Sequence, residues 1–262
     1  MKWVNFAYRL NKIFNMILRG KKVPDDYDWK FYTGIYKDGL DNAAKKETLI
    51  LKEGDYVFAD GQFLLKDKHI LPLSPIHQLV YETLLSLNLQ SVMDIGLGAG
   101  DHLHNIQMLS PEIKLYGIDV SKGQVELAKD RHPNLGAWIQ QYDITTPAEQ
   151  ASLPKVDAAY TMAVIQHIRE NHTDALINLF HIASKYVLLA ENWKRHAFMD
   201  DISTLFKLNK IPWESIYFYH RESEITQENQ NKPSMMIISS EPIPFYPVLE
   251  DYRVLSETMV HM

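Results

Sequence analysis

Residues 91–100 read SVMDIGLGAG, and the interpretation of the chain turns on them. An apolar run containing β-branched residues carries one acid, Asp94, then gives way to Gly96, Gly98 and Gly100 before helix-forming sequence begins at Asp101. That is the pattern of a strand, a tight turn and a helix start. Glycines here leave no side chain to keep a ligand off the backbone. The helix opening at Asp101 turns its unpaired amides and the positive end of its dipole into the same space. A nucleotide-like cofactor is the expected occupant. The dinucleotide fingerprint puts its third glycine three positions after the second, where this chain has Asp101; Gly100 comes one residue early. Only eleven glycines occur in 262 residues and three fall within five positions, so the cluster does not simply reflect composition.

The length suits one elaborated α/β domain, and 46% hydrophobic residues suit a globular chain. No apolar run approaches a membrane span. The absence of cysteine excludes a disulfide scaffold, a thiolate nucleophile and a cysteine-ligated metal. A formal net charge of −6 argues against nucleic acid as partner. No paired acids show metal-ligand spacing, so metal independence is expected. A cytoplasmic chain fits these features, and they leave the oligomeric state open.

Upstream of the turn, residues 1–22 combine six basic residues and no acid with apolar residues at helical spacing. Such a helix suits peripheral attachment to an anionic membrane surface, or packing on its own domain as a lid. Aromatic residues crowd the segment 23–36, which is expected to dock onto the core or to line an acceptor pocket. Short strands are expected at 48–52, 56–58 and 62–65, a small hairpin or meander closed by the proline-bearing LPLSP at 71–75. Three parts follow: an N-terminal extension over 1–75, a core over 76–240 and a tail over 241–262.

From residue 76 onward helices and strands alternate, which predicts a mostly parallel sheet covered on both faces. Strands are expected at 91–95, 114–119, 137–141, 157–162 and 186–190, then at 215–220 and 234–239 as a long hairpin. The fold class is thus a three-layer, Rossmann-like α/β/α sheet of seven strands with an N-terminal helical and β-hairpin extension. Asp119 ends the second core strand about twenty residues past the glycine turn, where an acid meets a ribose in doubly wound folds. Asp143, in QYDIT, stands at the same edge after the third; an Asx turn there is the alternative reading.

The order acid-x-Gly-x-Gly-x-Gly at 94–100, the acids Asp119 and Asp143, and VDAAYTMAVIQHI after the fourth strand resemble class I S-adenosylmethionine (SAM) dependent methyltransferases, over roughly residues 76–240. The resemblance implies that SAM lies along Asp94, Gly96, Leu97 and Gly98, with Asp119 and Val120 at the ribose. It places Asp143 and Ile144 at the adenine, Met162 and Ala163 beneath the methionine part, and His102 facing the SAM carboxylate. Leu97 replaces the small residue or cysteine often found in the family, and is tolerated if its side chain points away from SAM. Transfer from a sulfonium is an in-line displacement, so alignment in a dry pocket and removal of the acceptor's proton are the main tasks. His167 and Glu191 are the candidate bases, with Asn192 and Trp193 as acceptor contacts. The Asn/Asp-Pro-Pro-Phe/Tyr signature of base amino-group methylation is absent. The expected acceptor is a sugar, a glycan intermediate or another small molecule, and S-adenosylhomocysteine is the expected product. A methyltransferase-fold protein that binds SAM or a partner without turnover is the competing reading. A nicotinamide oxidoreductase is disfavoured by the glycine spacing.

Overall fold

In chain order, β1 (Tyr56–Ala59) and β2 (Gln62–Leu65) form an antiparallel hairpin ahead of helix α1 (Pro75–Ser86). Then come β3 (Ser91–Ile95), α2 (Asp101–Leu109), β4 (Lys114–Asp119), α3 (Lys122–Arg131), β5 (Ala137–Gln141) and β6 (Val156–Met162). A single 3-10 turn at Ile165–His167 leads to α4 (His172–Ile182), β7 (Ala183–Ala190), α5 (Phe198–Lys207), β8 (Tyr217–Glu222) and β9 (Ser234–Ser239). These elements belong to a computed structural model that describes residues 48–68, 72–147, 153–193, 195–223 and 233–249. The basic helix and aromatic segment expected before residue 48 lie outside the described residues, as does the tail after 249.

The sheet order is β5-β4-β3-β6-β7-β9-β8. Strands β5 to β7 run parallel, while β9 lies antiparallel between β7 and β8. The chain moves outward from β3 through β4 and β5, then crosses back to the other side of β3 at β6. The crevice at that reversal, beyond the carboxyl ends of β3 and β6, is where open α/β sheets bind ligands. Strand β6, VDAAYTM, is buried along most of its length, as a central strand covered on both faces must be. One apolar cluster joins the sheet to α1, α2 and α3, and a second joins its other face to α4 and α5, giving three layers. Local signals set the helix starts: Pro75 opens α1, and Ser121 caps α3 by accepting from the Gln124 amide at 3.3 Å.

The segment 48–52 is not a strand. The Leu51 amide donates to Asn105 Oδ1 at 2.8 Å and the Asn105 side chain donates to the Leu49 carbonyl at 2.7 Å, so a side chain on α2 takes the place of a neighbouring strand. The hairpin is fastened similarly. The Phe63 amide donates to Glu82 on α1 at 3.0 Å, and the Leu73 amide donates to the Tyr56 hydroxyl at 2.9 Å. Behind β9 the chain folds back on β8, with the Ile243 amide donating to the Tyr219 hydroxyl at 2.7 Å and the Leu249 amide to the Phe218 carbonyl at 2.8 Å. Among the described residues no helix is long and apolar enough to cross a membrane.

Candidate active site

The turn after β3 carries φ values of +80°, +55° and +78° at Gly96, Gly98 and Gly100. The amides of Gly96 and Leu97 donate to the Ile118 carbonyl at 2.7 and 3.0 Å, lashing the turn to β4. The three glycines do different work. A Cβ on Gly96 would overlap Val164, and one on Gly100 would approach Ala128 Cβ at 2.9 Å, but one on Gly98 would meet nothing within 4 Å. Gly98 is therefore the member that borders open space. Leu97 is turned inward, only 2% exposed, against Gly117 of β4, where an added Cβ would come within 3.0 Å of its Cδ2. Its side chain lies off the ligand face, so it can offer a cofactor only backbone.

Asp119 is buried at the end of β4. Its Oδ2 accepts from the Gly98 amide at 3.0 Å and its Oδ1 from the Ser121 amide at 2.8 Å, so the acid also holds the turn in place. Burial raises its pKa to about 6 against the pull of those two amides. Asp94 lies deeper. Its Oδ2 and the Tyr160 hydroxyl are both buried without a hydrogen-bond partner, and Tyr160 stands near enough to pull the Asp94 pKa down. Burial, opposed by Tyr160 and reinforced by the Asp119 charge, pushes Asp94 up to about 7. Asp143 is exposed and forms the Asx turn: its Oδ1 accepts from the Thr145 amide at 2.9 Å and hydroxyl at 2.8 Å. Ile144 is buried, whereas Val120 stands 42% exposed beside Asp119.

His102, in the first turn of α2, sits at 4.6 Å edge-on to His77 of α1. Its Nδ1 lies 2.7 Å from the Tyr81 hydroxyl, which itself accepts from Asn105 at 3.1 Å. The tyrosine proton therefore goes to Nδ1 and the imidazole proton to Nε2. Burial, then His77, depresses the His102 pKa to about 3, so the ring is neutral. Asp101 is committed elsewhere. Arg131, half-buried, grips it with contacts of 3.0–3.1 Å, and the buried His132 has its Nε2 2.6 Å from Asp101 Oδ1.

Across the crevice, β6 ends at Met162, and Ala163 adopts φ +56°. The following loop hangs on Glu191 at the end of β7. Its Oε1 accepts from the Val164 and Ile165 amides at 3.0 and 3.2 Å and its Oε2 from the Gln166 amide at 3.0 Å. Burial raises its pKa in spite of these bonds and of Thr161 nearby. Expected as a base, Glu191 is instead fixed by both oxygens as the holder of the loop. Glu191→Ala leaves three amides without their acceptor and is expected to cost about 3 kcal/mol, read as a fall in Tm, with Glu191→Gln losing less.

His167 is exposed at the rim of this loop, 3.2 Å from Gln166 Nε2, and partial burial and the Arg195 charge lower its pKa. Asn192 ties the two loops together, its amide donating to Gln166 Oε1 at 2.7 Å. Trp193 packs edge-on against Phe198 at 5.4 Å, and its indole nitrogen is buried without a partner. The structure adds a group that sequence reading missed: His172 Nε2 lies 3.0 Å from Asp201 Oδ2, and the His172 ring stacks on His196 at 4.0 Å. Residues 29 apart on two helices carry no spacing signal. Among the described residues no three histidine or acidic side chains are grouped to hold a metal.

Residues 93–185 match the family model described as a methyltransferase domain. That segment is therefore a methyltransferase domain, and it runs from β3 to the start of β7, in the parallel part of a seven-stranded α/β sheet. No protein of curated function matches the sequence. Similar solved structures include the methyltransferase domain of bacterial CtHen1-C, at 20% identity and TM-score 0.49 over 62% of this chain and 95% of that one. CalS10, an amino pentose methyltransferase of Micromonospora echinaspora bound to SAM, aligns at 10% identity and TM-score 0.47 over 64% and 92% of the two chains. An O-methyltransferase of a Brevibacillus brevis trans-AT polyketide synthase multienzyme, in complex with S-adenosylhomocysteine, reaches 30% identity at TM-score 0.37, over 40% of this chain and 36% of that one.

Proposed function

We propose that this chain is a SAM-dependent methyltransferase that transfers in line to an oxygen of a sugar, a glycan intermediate or another small molecule. The observation that carries the reading is the crevice of a methyltransferase domain in which open space borders Gly98 while Asp119 and the buried Asp94, with its Oδ2 unpartnered, flank it. SAM supplies a methyl group activated on a cationic sulfur. Asp119, with Val120 beside it, accepts from the ribose hydroxyls, and Asp143 with Ile144 frames the adenine. Asp94 draws in the ammonium-bearing end, whose charge supplies what the buried carboxyl lacks. His102 offers its Nε2 proton to the ligand carboxylate. Met162 and Ala163 floor the methionine part, and Glu191 acts by positioning that floor. His167, Asn192 and Trp193 line the acceptor side.

The basic amphipathic residues 1–22 favour an acceptor at the cytoplasmic membrane face, such as a lipid-linked sugar. Calorimetry with SAM is expected to show one site. Labelled SAM incubated with a lipid-linked sugar fraction and with a soluble metabolite fraction is expected to label the first, with EDTA making no difference. Labelling only of the soluble fraction would remove the membrane part of the reading. Binding without S-adenosylhomocysteine from either fraction would mark a SAM-binding protein without turnover.

A further inference from the structure

Eight buried side-chain polar atoms among the described residues lack a hydrogen-bond partner. Native proteins leave few such atoms, so where they gather requires an explanation. Asp94 Oδ2, Tyr160 Oη and Thr161 Oγ1 lie on β3 and β6 beneath the glycine turn. A second group, His172 Nδ1, Trp193 Nε1 and His196 Nε2, lies outside it, where the loop after β7 meets the starts of α4 and α5. Trp193 and His196 each pack edge-on against Phe198 at 5.4 Å, and His196 stacks on His172, so the three belong to one cluster.

The chemistry of the cluster is specific. His172 gives its Nε2 proton to Asp201, which leaves a lone pair on Nδ1. His196 bonds the backbone of Ile165 and Ile168, which with Nε2 unpartnered puts its proton on Nδ1 and a second lone pair on Nε2. Trp193 contributes one N–H donor. Two acceptors and one donor suit a hydroxylated ligand, whose O–H groups donate to imidazole while an oxygen accepts from indole. The place also fits. β6 and β7 are neighbours in register at Met162 and Ala190, and β3 pairs with β6 at Ile95 and Thr161. The loop after β7, which carries Trp193 and His196, thus leaves the sheet two strand spacings, about 10 Å, from the strand that bears the glycine turn.

We propose that this cluster is the polar subsite of the methyl acceptor, that His172 takes the proton of the acceptor hydroxyl, and that Asp201 positions His172. The inference rests on the reading of the chain as a SAM-dependent methyltransferase acting on oxygen. As the acceptor oxygen bonds to the methyl carbon, the C–S electron pair stays with sulfur, which becomes a neutral thioether. The hydroxyl proton passes to His172 Nδ1, and the imidazolium so formed is paired with the Asp201 carboxylate. His167 keeps a place at the rim. A base oriented by a carboxylate is better prepared for proton removal than an exposed ring beside Arg195.

The test compares the full-length protein with His172→Gln, His172→Ala and Asp201→Ala, using labelled SAM with the lipid-linked and soluble fractions. Turnover is expected to fall by about 100-fold or more in both His172 variants, with SAM affinity by calorimetry unchanged and with added imidazole restoring activity to His172→Ala. Independently of turnover, 15N spectra of the imidazoles are expected to show His172 as the Nε2–H form in the parent and a mixed form in Asp201→Ala. Turnover of His172→Gln within twofold of the parent's, or a parental His172 protonated on Nδ1, overturns the assignment. So does a loss matched by an equal fall in SAM affinity and not restored by imidazole, since a strut between α4 and α5 would behave that way. Transfer by the parent from neither fraction overturns the function reading first, and this inference with it.

Discussion

Gly96→Val is expected to lower SAM affinity at least 100-fold in a chain that still folds. Two effects act at that position. A β-branched residue held at φ +80° bears a backbone cost of about 1–2 kcal/mol or more. The new Cβ also overlaps Val164, displacing the loop that Glu191 holds by three amides. Both sides of the crevice then move, while the two apolar clusters that hold the sheet are untouched. Gly61, in the hairpin turn, is the internal control, because its φ is +78° and a Cβ there meets nothing within 4 Å. Gly61→Ala should therefore show the backbone cost alone and bind SAM normally. Calorimetry and thermal melting of both variants give the answer, and unchanged affinity in Gly96→Val would remove the cofactor assignment.

The second large effect has opposite signs for stability and binding. Burial holds the folded Asp94 at about 7, well above the ordinary aspartate value of 3.8, so the folded state binds the proton more tightly than the unfolded state does. Stability contributed by the protonated group is present below the unfolded pKa and lost as pH rises toward 7. Asp94→Asn, neutral throughout, should match the parent near pH 4 and draw ahead of it to about 3–4 kcal/mol by pH 8. In the same variant SAM affinity at pH 8 should fall about 10-fold or more, because a buried charge facing the ligand's ammonium is gone. Parental affinity should itself weaken as pH falls through about 7, while that of the variant stays flat. A variant less stable than the parent at pH 8 would refute the burial argument, and equal affinities there would refute the charge argument.

What the sequence could disclose was local. The strand, the three glycines and Asp119 are written in one short span and its neighbour, and their backbone consequences follow from residue type. The seven strands and their mostly parallel arrangement were legible because helical and extended periods alternate along the core. What the sequence did not disclose were contacts whose partners lie far away or in the backbone. Segment 48–52 has strand-like composition but bonds to the Asn105 side chain. Glu191 looked like a base because the three amides it receives have no signature in sequence. The direction of Leu97 depended on Gly117, a vacancy on the adjacent strand. Asp143 took the Asx-turn geometry weighed for it, which its short spacing to Thr145 favours.

Asp101 has a consequence for which molecules this crevice refuses. It occupies the helix start where a dinucleotide site keeps its third glycine, and its charge is already answered from within by Arg131 and His132. A helix N-terminus attracts a pyrophosphate through unpaired amides and a positive dipole end, but a dinucleotide site needs a glycine where this helix starts with Asp101. Nicotinamide and flavin dinucleotides would bring two more negative charges to a place that already holds Asp94 and Asp119. The site is accordingly expected to sort nucleosides by the charge of their tails, drawing in one that bears an ammonium and repelling one that bears phosphates. Competition by NADH for bound SAM should accordingly be undetectable, although both ligands present an adenosine to the same edge of the sheet.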